Sequence, residues 1–140
     1  MQQEEQKMIL VVEDDDALRF LTTKQLQRLG FIVHSANNGK EAVAKVTQNA
    51  HNYSLVLMDV QMPKMDGIEA TTKIRQMESA NQSHVPIVAM TAHPEEARCL
   101  EAGMDDFIFK PVMLEQLKSV LSKWVPVPPP HSVPSTTTRT

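Results

Sequence analysis

Leu55-Val56-Leu57-Met58-Asp59-Val60-Gln61-Met62-Pro63 is an apolar run that carries one carboxylate to its end, then breaks into a loop reaching Asp66-Gly67. An apolar stretch of this length between turn residues reads as a buried strand. Burying an unpaired carboxylate is costly. Asp59 therefore either caps a turn, as Asp commonly does, or is a reactive group at the mouth of a site. The strand alone leaves both readings open, and the other strands decide between them.

Strand and helix patterns alternate on both sides of this stretch. Met8-Ile9-Leu10-Val11-Val12 is a continuous apolar strand. Asp15 or Asp16 can cap a following helix that runs to Leu29, with Leu18, Leu21, Leu26 and Leu29 on one face. Gly30 suits the position that ends it. Phe31-Ile32-Val33-His34-Ser35-Ala36 is a second, more mixed strand, and Asn38 can cap a helix presenting Ala42, Val43, Val46 and Ala50. After the opening stretch, a helix from about Asp66 carries Ala70, Ile74 and Met77. Pro86-Ile87-Val88-Ala89-Met90-Thr91 is a fourth strand. A short helix from Glu95 to Ala102 ends at Gly103, and Phe107-Ile108-Phe109-Lys110 is a fifth strand. Leu114, Leu117, Leu121 and Trp124 then form the most regular helical stripe in the chain.

Five strand–helix units predict an α/β fold: a doubly wound, five-stranded parallel sheet covered on both faces. Strands one, three and four are the most uniformly apolar and suit the interior, while strands two and five suit the edges. This predicts strand order 2-1-3-4-5, with the ligand site at the carboxyl ends of the strands near the switch point between strands one and three.

Composition narrows the function classes. A net charge of -3 offers no basic face for nucleic acid. No apolar stretch approaches a membrane span, and the polar opening Met1-Gln2-Gln3-Glu4-Glu5-Gln6-Lys7 has no signal-peptide core. The single Cys99 reads as a small half-buried residue in a helix. These features point to a cytoplasmic, soluble, single-domain chain without membrane insertion. Residues 1–6 are expected to be disordered, 7–125 to form the domain, and 126–140 to be a flexible Pro/Thr-rich tail holding five of the nine prolines.

The predicted sheet gathers chemistry at its carboxyl edge. Strand one ends in Glu13-Asp14-Asp15-Asp16, strand three in Asp59, strand four in Thr91 and strand five in Lys110-Pro111. Two unit charges about 4 Å apart interact by roughly 4 kcal/mol at an effective dielectric of about 20. Glu13 or Asp14 near Asp59 therefore requires cationic relief, or a carboxylate takes up a proton. Lys110 supplies one positive charge against three carboxylates. A divalent ion on oxygen ligands fits better, and Mg²⁺ favours a few carboxylates, waters and a phosphate. These are the parts for moving a phosphoryl group onto Asp59: a carboxylate nucleophile, cations on the equatorial oxygens, and the Thr91 hydroxyl donating to one of them. Taken singly, a Lys-Pro is a turn, a strand-end Thr a cap and an acidic run a solvated helix start. Their convergence on four strand ends favours the chemical reading.

The chain resembles the receiver domains of two-component response regulators, most closely in wording those of hybrid histidine kinases and phosphorelay proteins. The resemblance rests on Ile9-Leu10-Val11-Val12-Glu13-Asp14-Asp15, on Leu57-Met58-Asp59-Val60-Gln61-Met62-Pro63 with Asp66-Gly67, on Met90-Thr91-Ala92, on Glu101-Ala102-Gly103-Met104-Asp105-Asp106, and on Phe107-Ile108-Phe109-Lys110-Pro111. It implies a flavodoxin-like (βα)5 fold with Asp59 as phosphoacceptor, fed by a histidine kinase or histidine phosphotransfer protein. It further implies that Mg²⁺, or Mn²⁺ in its place, is held by Asp14, Asp59 and the backbone carbonyl of Gln61, with Glu13 acting through a water. Thr91 and Lys110 would bind phosphoryl oxygens, and Thr91 with Phe107 would form a switch. Gln61 and His93 would tune hydrolysis, and the Lys110–Pro111 bond would be cis. Such a domain assists only its own phosphorylation and dephosphorylation, and signals through an output face to a partner that the sequence does not name. Two departures stand out. Phe107 has no hydroxyl, so a switch there works by packing. The spacing from Thr91 to Lys110 is about three residues short of the family's usual, close to one helical turn, which points to a shortened or repositioned fourth helix. Two other readings remain: a pseudo-receiver acting by protein–protein contact alone, and a haloacid-dehalogenase-type phosphatase with Asp14 as nucleophile.

Overall fold

Among the described residues, five strands and five helices alternate: β1 (Met8–Val12), α1 (Asp16–Arg28), β2 (Ile32–Ala36), α2 (Gly39–Gln48), β3 (Tyr53–Asp59), α3 (Gly67–Asn81), β4 (Ile87–Thr91), α4 (Glu96–Ala102), β5 (Asp106–Phe109) and α5 (Leu114–Trp124). The computed structural model describes residues 7–48, 52–60, 62, 65–81, 83–92 and 96–125. The expectations for residues 1–6 and 126–140, for Ala50, and for Gln61 and His93 lie outside these residues.

All pairings are parallel and the strand order is β2-β1-β3-β4-β5, as the apolar content of the strands predicts. A parallel sheet covered on both faces needs strands that are apolar on both sides. Consecutive residues of β1 accordingly feed two cores. Leu10 and Val12 pack with Met58, Ala42, Val46, Ala70 and Ile74 on the side of α2, α3 and α4. Ile9 and Val11 pack with Leu57, Leu26, Leu117 and Leu121 on the side of α1 and α5.

Local signals set the helix ends. The Asp15 side chain accepts from Leu18 N at 3.0 Å, Asn38 from Glu41 N at 2.9 Å, and Asp66 from Glu69 N at 2.9 Å, so three helices start on acceptor side chains. Gly30 and Gly103, with φ of +99° and +108°, follow α1 and α4 in the left-handed conformation.

Three sequence expectations need correction. Of the expected α1 stripe, Leu26 is buried and Leu29 half-buried, but Leu18 and Leu21 are exposed. Thr22, four residues before Leu26, turns inward instead, so the buried line is narrower than the leucine spacing suggests. In α5, Leu114 is exposed at the first turn, and Val120 joins Leu117 and Leu121 in the core. Cys99 is fully buried rather than half-buried, because α4 lays it against the α2–α3 core. At seven residues α4 is the shortest of the five described helices, in keeping with the short spacing before Lys110.

Candidate functional site

The register brings the chemistry together. Val12 pairs with Met58, Asp59 with Met90, and Thr91 with Phe109. Glu13, Asp59, Thr91 and Lys110 thus leave neighbouring strands at one edge. Asp59, the last residue of β3, is 2% exposed, and Glu13, one residue past β1, is 3% exposed. Lys110 follows β5, and its N–H donates to Thr91 O at 2.8 Å, extending the β4–β5 ladder by one step. From there its ammonium lies 3.0 Å from Asp59 Oδ2 and 3.1 Å from Glu13 Oε1. The Lys110–Pro111 peptide is cis. Asp14 is exposed, and carboxylate oxygens of Glu13, Asp14 and Asp59 lie within 4.8 Å of one another.

The charges in this pocket do not balance. Burial first, then the hydrogen-bonding and charge influence of Glu13, push the Asp59 carboxyl from 3.8 up to about 7, against the pull of Lys110. Burial alone would lower the Lys110 pKa, but its pairing with Asp59 and Glu13 outweighs this and holds it above 10.5. The ammonium stays charged while Asp59 remains short of cationic partners. Three hard oxygen donors with surplus negative charge fit a divalent cation of the Mg²⁺ class.

Thr91 ends β4 at 3% exposure. Phe107 pairs with Ala89, two residues before Thr91, and is half-buried against the α2–α3–α4 core. Its ring meets that of Phe109 edge to face, with centroids 5.2 Å apart and an interplanar angle of 78°. Of the residues singled out in the sequence, the structure thus brings together Glu13, Asp14, Asp59 and Lys110, with Thr91 on the adjoining strand end and Phe107 behind it.

The chain returning from the β3 loop passes tightly beneath Asp59. A Cβ at Gly67 would stand 2.2 Å from the Asp59 carbonyl oxygen and 2.9 Å from Met58 Cγ, while Gly67 N donates to Val60 O at 3.0 Å. The obstructing atom is backbone and cannot swing aside. Gly67→Ala is expected to cost about 2 kcal/mol or more in urea unfolding and to disturb Asp59 itself.

Two arginines gave no sequence signal. Arg19 spans Glu13 O and Asp16 Oδ1 at 2.8 and 2.6 Å. Arg75 gathers Gly103, Glu78, Val85 and Asp105 at the opposite end of the sheet. On the sequence each is an ordinary polar helix residue. Only the spacings of three, Asp16–Arg19 and Arg75–Glu78, hint at a contact.

Known proteins share this fold. Residues 9–122 match the sequence profile of the response regulator receiver domain. The chain is 40% identical over 124 residues to the hybrid signal transduction protein dokA of Dictyostelium discoideum, covering 89% of this chain and 7% of that protein. It is 45% identical over 120 residues to the sensor protein GacS of Pseudomonas syringae pv. syringae, covering 83% of this chain and 13% of that protein. The chain therefore spans only a small part of these curated relatives. Its fold matches the receiver domain of the sensor histidine kinase PA1611 from Pseudomonas aeruginosa PAO1, which holds a magnesium ion in its active-site cleft. There the TM-score is 0.77 at 32% identity, covering 88% of this chain and 100% of that one. It also matches the complex of the Saccharomyces cerevisiae phosphotransfer protein Ypd1 with the receiver domain of Ssk1, with a TM-score of 0.76 at 30% identity, covering 85% and 88%. With sequence profile, strand order and relatives in agreement, the chain belongs to the response regulator receiver domain family of two-component and phosphorelay signalling.

Proposed function

We propose that this receiver accepts a phosphoryl group from a phosphohistidine of a histidine kinase or histidine phosphotransfer protein onto Asp59, in the cytoplasm, and signals by a change of conformation. The observation that carries this reading is the buried Asp59 carboxylate, held at once by Lys110 and against Glu13. An Asp59 oxygen attacks phosphorus, the donor's N–P bond breaks, and the leaving imidazole nitrogen takes up a proton. Lys110 neutralises the phosphoryl oxygens and Thr91 donates its hydroxyl to one of them. Asp14, Asp59 and the carbonyl of Gln61, with Glu13 through a water, would hold Mg²⁺, or Mn²⁺ in its place. When bound, that ion adds positive charge against the transferring group. Movement of Thr91 toward the phosphoryl group would let Phe107 repack, shifting the population of an output state. Gln61 and His93 keep their suggested part in hydrolysis, outside the described residues.

Labelling with acetyl phosphate and Mg²⁺, followed by mapping, tests the reading. A base-labile adduct on Asp59 supports it. An adduct on Asp14 would favour the phosphatase reading, and no adduct with any donor the pseudo-receiver. The structure speaks against the phosphatase. The second carboxylate of its Asp14-Asp15-Asp16 motif, Asp16, pairs with Arg19 at the surface, 89% exposed.

An exposed apolar face beside the site supports a protein donor. Phe20 and Leu21 on α1 are 60% and 57% exposed, and a groove lined by Leu18, Leu21 and Val112 opens onto Glu13 and Lys110. Exposed apolar surface next to a reactive carboxylate suits a protein donor. The double variant Phe20→Ser, Leu21→Glu is expected to slow transfer from a phosphohistidine protein by about tenfold or more. Labelling by acetyl phosphate, which needs no docking face, should stay unchanged.

A further inference from the structure

The acidic turn after β1 holds four consecutive carboxylates, and three of them have evident anchors. The Glu13 side chain faces Lys110 and accepts from Asp15 N at 3.2 Å, while Glu13 N donates to Ala36 O at 3.1 Å. Asp15 caps α1 through Leu18 N, and Asp16 pairs with Arg19. Asp14 is the exception. It is exposed, and its side chain forms no hydrogen bond or ion pair with any described residue. The backbone therefore sets where its Cα–Cβ bond points, and its carboxylate reaches Asp59 through a rotamer about that bond.

One guanidinium pins that backbone on its leading side, at the Glu13 carbonyl, and pairs with the Asp16 carboxylate two residues on. Arg19 Nη1 donates to Glu13 O at 2.8 Å, the carbonyl of the peptide that leads into Asp14. Nη2 donates to Asp16 Oδ1 at 2.6 Å, and Arg19 N donates to Asp15 O at 2.9 Å. The peptide is planar, so pinning its oxygen fixes the direction of the Asp14 N–H and limits where the Asp14 Cα can go. The Arg19 side chain is 18% exposed, so these charge-assisted contacts are only partly diluted by water.

We infer that Arg19 is the positioning residue for metal capture: it acts through the Glu13–Asp14 peptide to hold Asp14 ready before a divalent cation arrives. This rests on the metal-assisted receiver reading above. Preorganisation and simple charge predict opposite signs. Removing Arg19 leaves Asp16 unpaired and makes the turn more negative, which by charge alone would tighten cation binding. Loss of preorganisation loosens it, because the ion must then order the turn as it binds.

The test is Mg²⁺ titration of the full chain by calorimetry at pH 8, for wild type, Arg19→Met and Arg19→Lys, with thermal unfolding in EDTA alongside. The Kd is expected to rise about tenfold in Arg19→Met. A rise of about threefold is expected in Arg19→Lys, which keeps the charge but loses the two-pronged fork. The rate of acetyl phosphate labelling at saturating Mg²⁺ should stay within about twofold of wild type, since a bound ion itself orders the turn. A merely structural arginine would lower the unfolding temperature and leave the Kd alone. An unchanged or tighter Kd in both variants, with wild type binding normally, would overturn this inference and leave the receiver reading intact. Failure of the wild-type chain to bind Mg²⁺ at millimolar concentration would overturn the metal-assisted reading and this inference with it.

Discussion

Asp59→Asn is expected to abolish phosphoryl acceptance and, in EDTA at pH 8, to make the protein more stable. The two effects share one cause. Asp59 sits where burial and Glu13 disfavour its charge, so its carboxyl titrates near 7 in the folded chain against 3.8 in the free side chain. Between those values the folded state binds more protons than the unfolded state. Stability therefore falls as pH rises from about 4 through about 7, and levels off above. A shift of this size corresponds to about 4 kcal/mol at most. Asn removes the charge; the pull of Lys110 is already contained in the raised value, and relaxation of the site scales the shift down. The net gain expected at pH 8 is about 2 kcal/mol, shrinking toward zero near pH 4. Urea unfolding of both proteins across this range measures it. A wild-type stability that climbs between pH 5 and pH 8 relative to the variant would contradict the electrostatic account. In the wild type, Mg²⁺ added at pH 8 should recover part of the same stability, because it binds only the ionised folded site.

Arg75→Ala is expected to destabilise the chain by about 3 kcal/mol, although Arg75 touches no part of the candidate site. Its Nε donates to Gly103 O at 2.8 Å. One terminal nitrogen donates to Glu78 Oε1 and Val85 O at 2.5 and 2.9 Å, and the other to Asp105 Oδ2 at 2.8 Å. The two carboxylates in turn accept from the backbone: Glu78 from Val85 N at 2.7 Å, and Asp105 from Ile87 N at 2.9 Å. A single guanidinium thus ties α3 to the start of β4 and to the connection between α4 and β5. Removing it leaves two largely buried carboxylates with only the exposed His84 ring beside them, which costs more than the pair contributes. Arg75→Lys keeps a charge but not the fork, and should lose about half as much. Hydrogen exchange should rise first in α4, whose C-terminal end loses its anchor at Gly103. A loss below about 1 kcal/mol for Arg75→Ala would mean that the two carboxylates find relief in solvent.

The fold was legible because each β unit announces itself locally. Met8–Val12 and Ile87–Thr91 are apolar on both faces, as only strands covered on both sides can be. The mixed Ile32–Ala36 stretch declared itself an edge. The site was legible for a related reason: parallel strands deliver their carboxyl ends to one edge, so Glu13, Asp59, Thr91 and Lys110 can be gathered on paper before any coordinate is known. The inward face of α1 was not legible. Leu18 and Leu21 are three apart, as are Leu26 and Leu29, yet Leu21 is 57% exposed and Leu26 is fully buried, because the step of five between the pairs carries the chain about 140° around the helix. Periodicity reports that a face is apolar, not whether a neighbour covers it.

The sequence by itself therefore determined the alternation of strands and helices, the order of the strands, the family, and which residues can meet at the carboxyl edge. These follow from side-chain chemistry repeated at fixed local periods. The tertiary structure alone decided how strongly Asp59 is charged, which leucines of α1 stay uncovered, and what two unremarkable arginines hold. Arg75 reaches partners 10, 28 and 30 positions away, and the Asp59 carboxyl responds to burial, to Glu13 and to Lys110 at once. Such effects depend on distances through space and on the loss of water, and neither is written in any single stretch of chain.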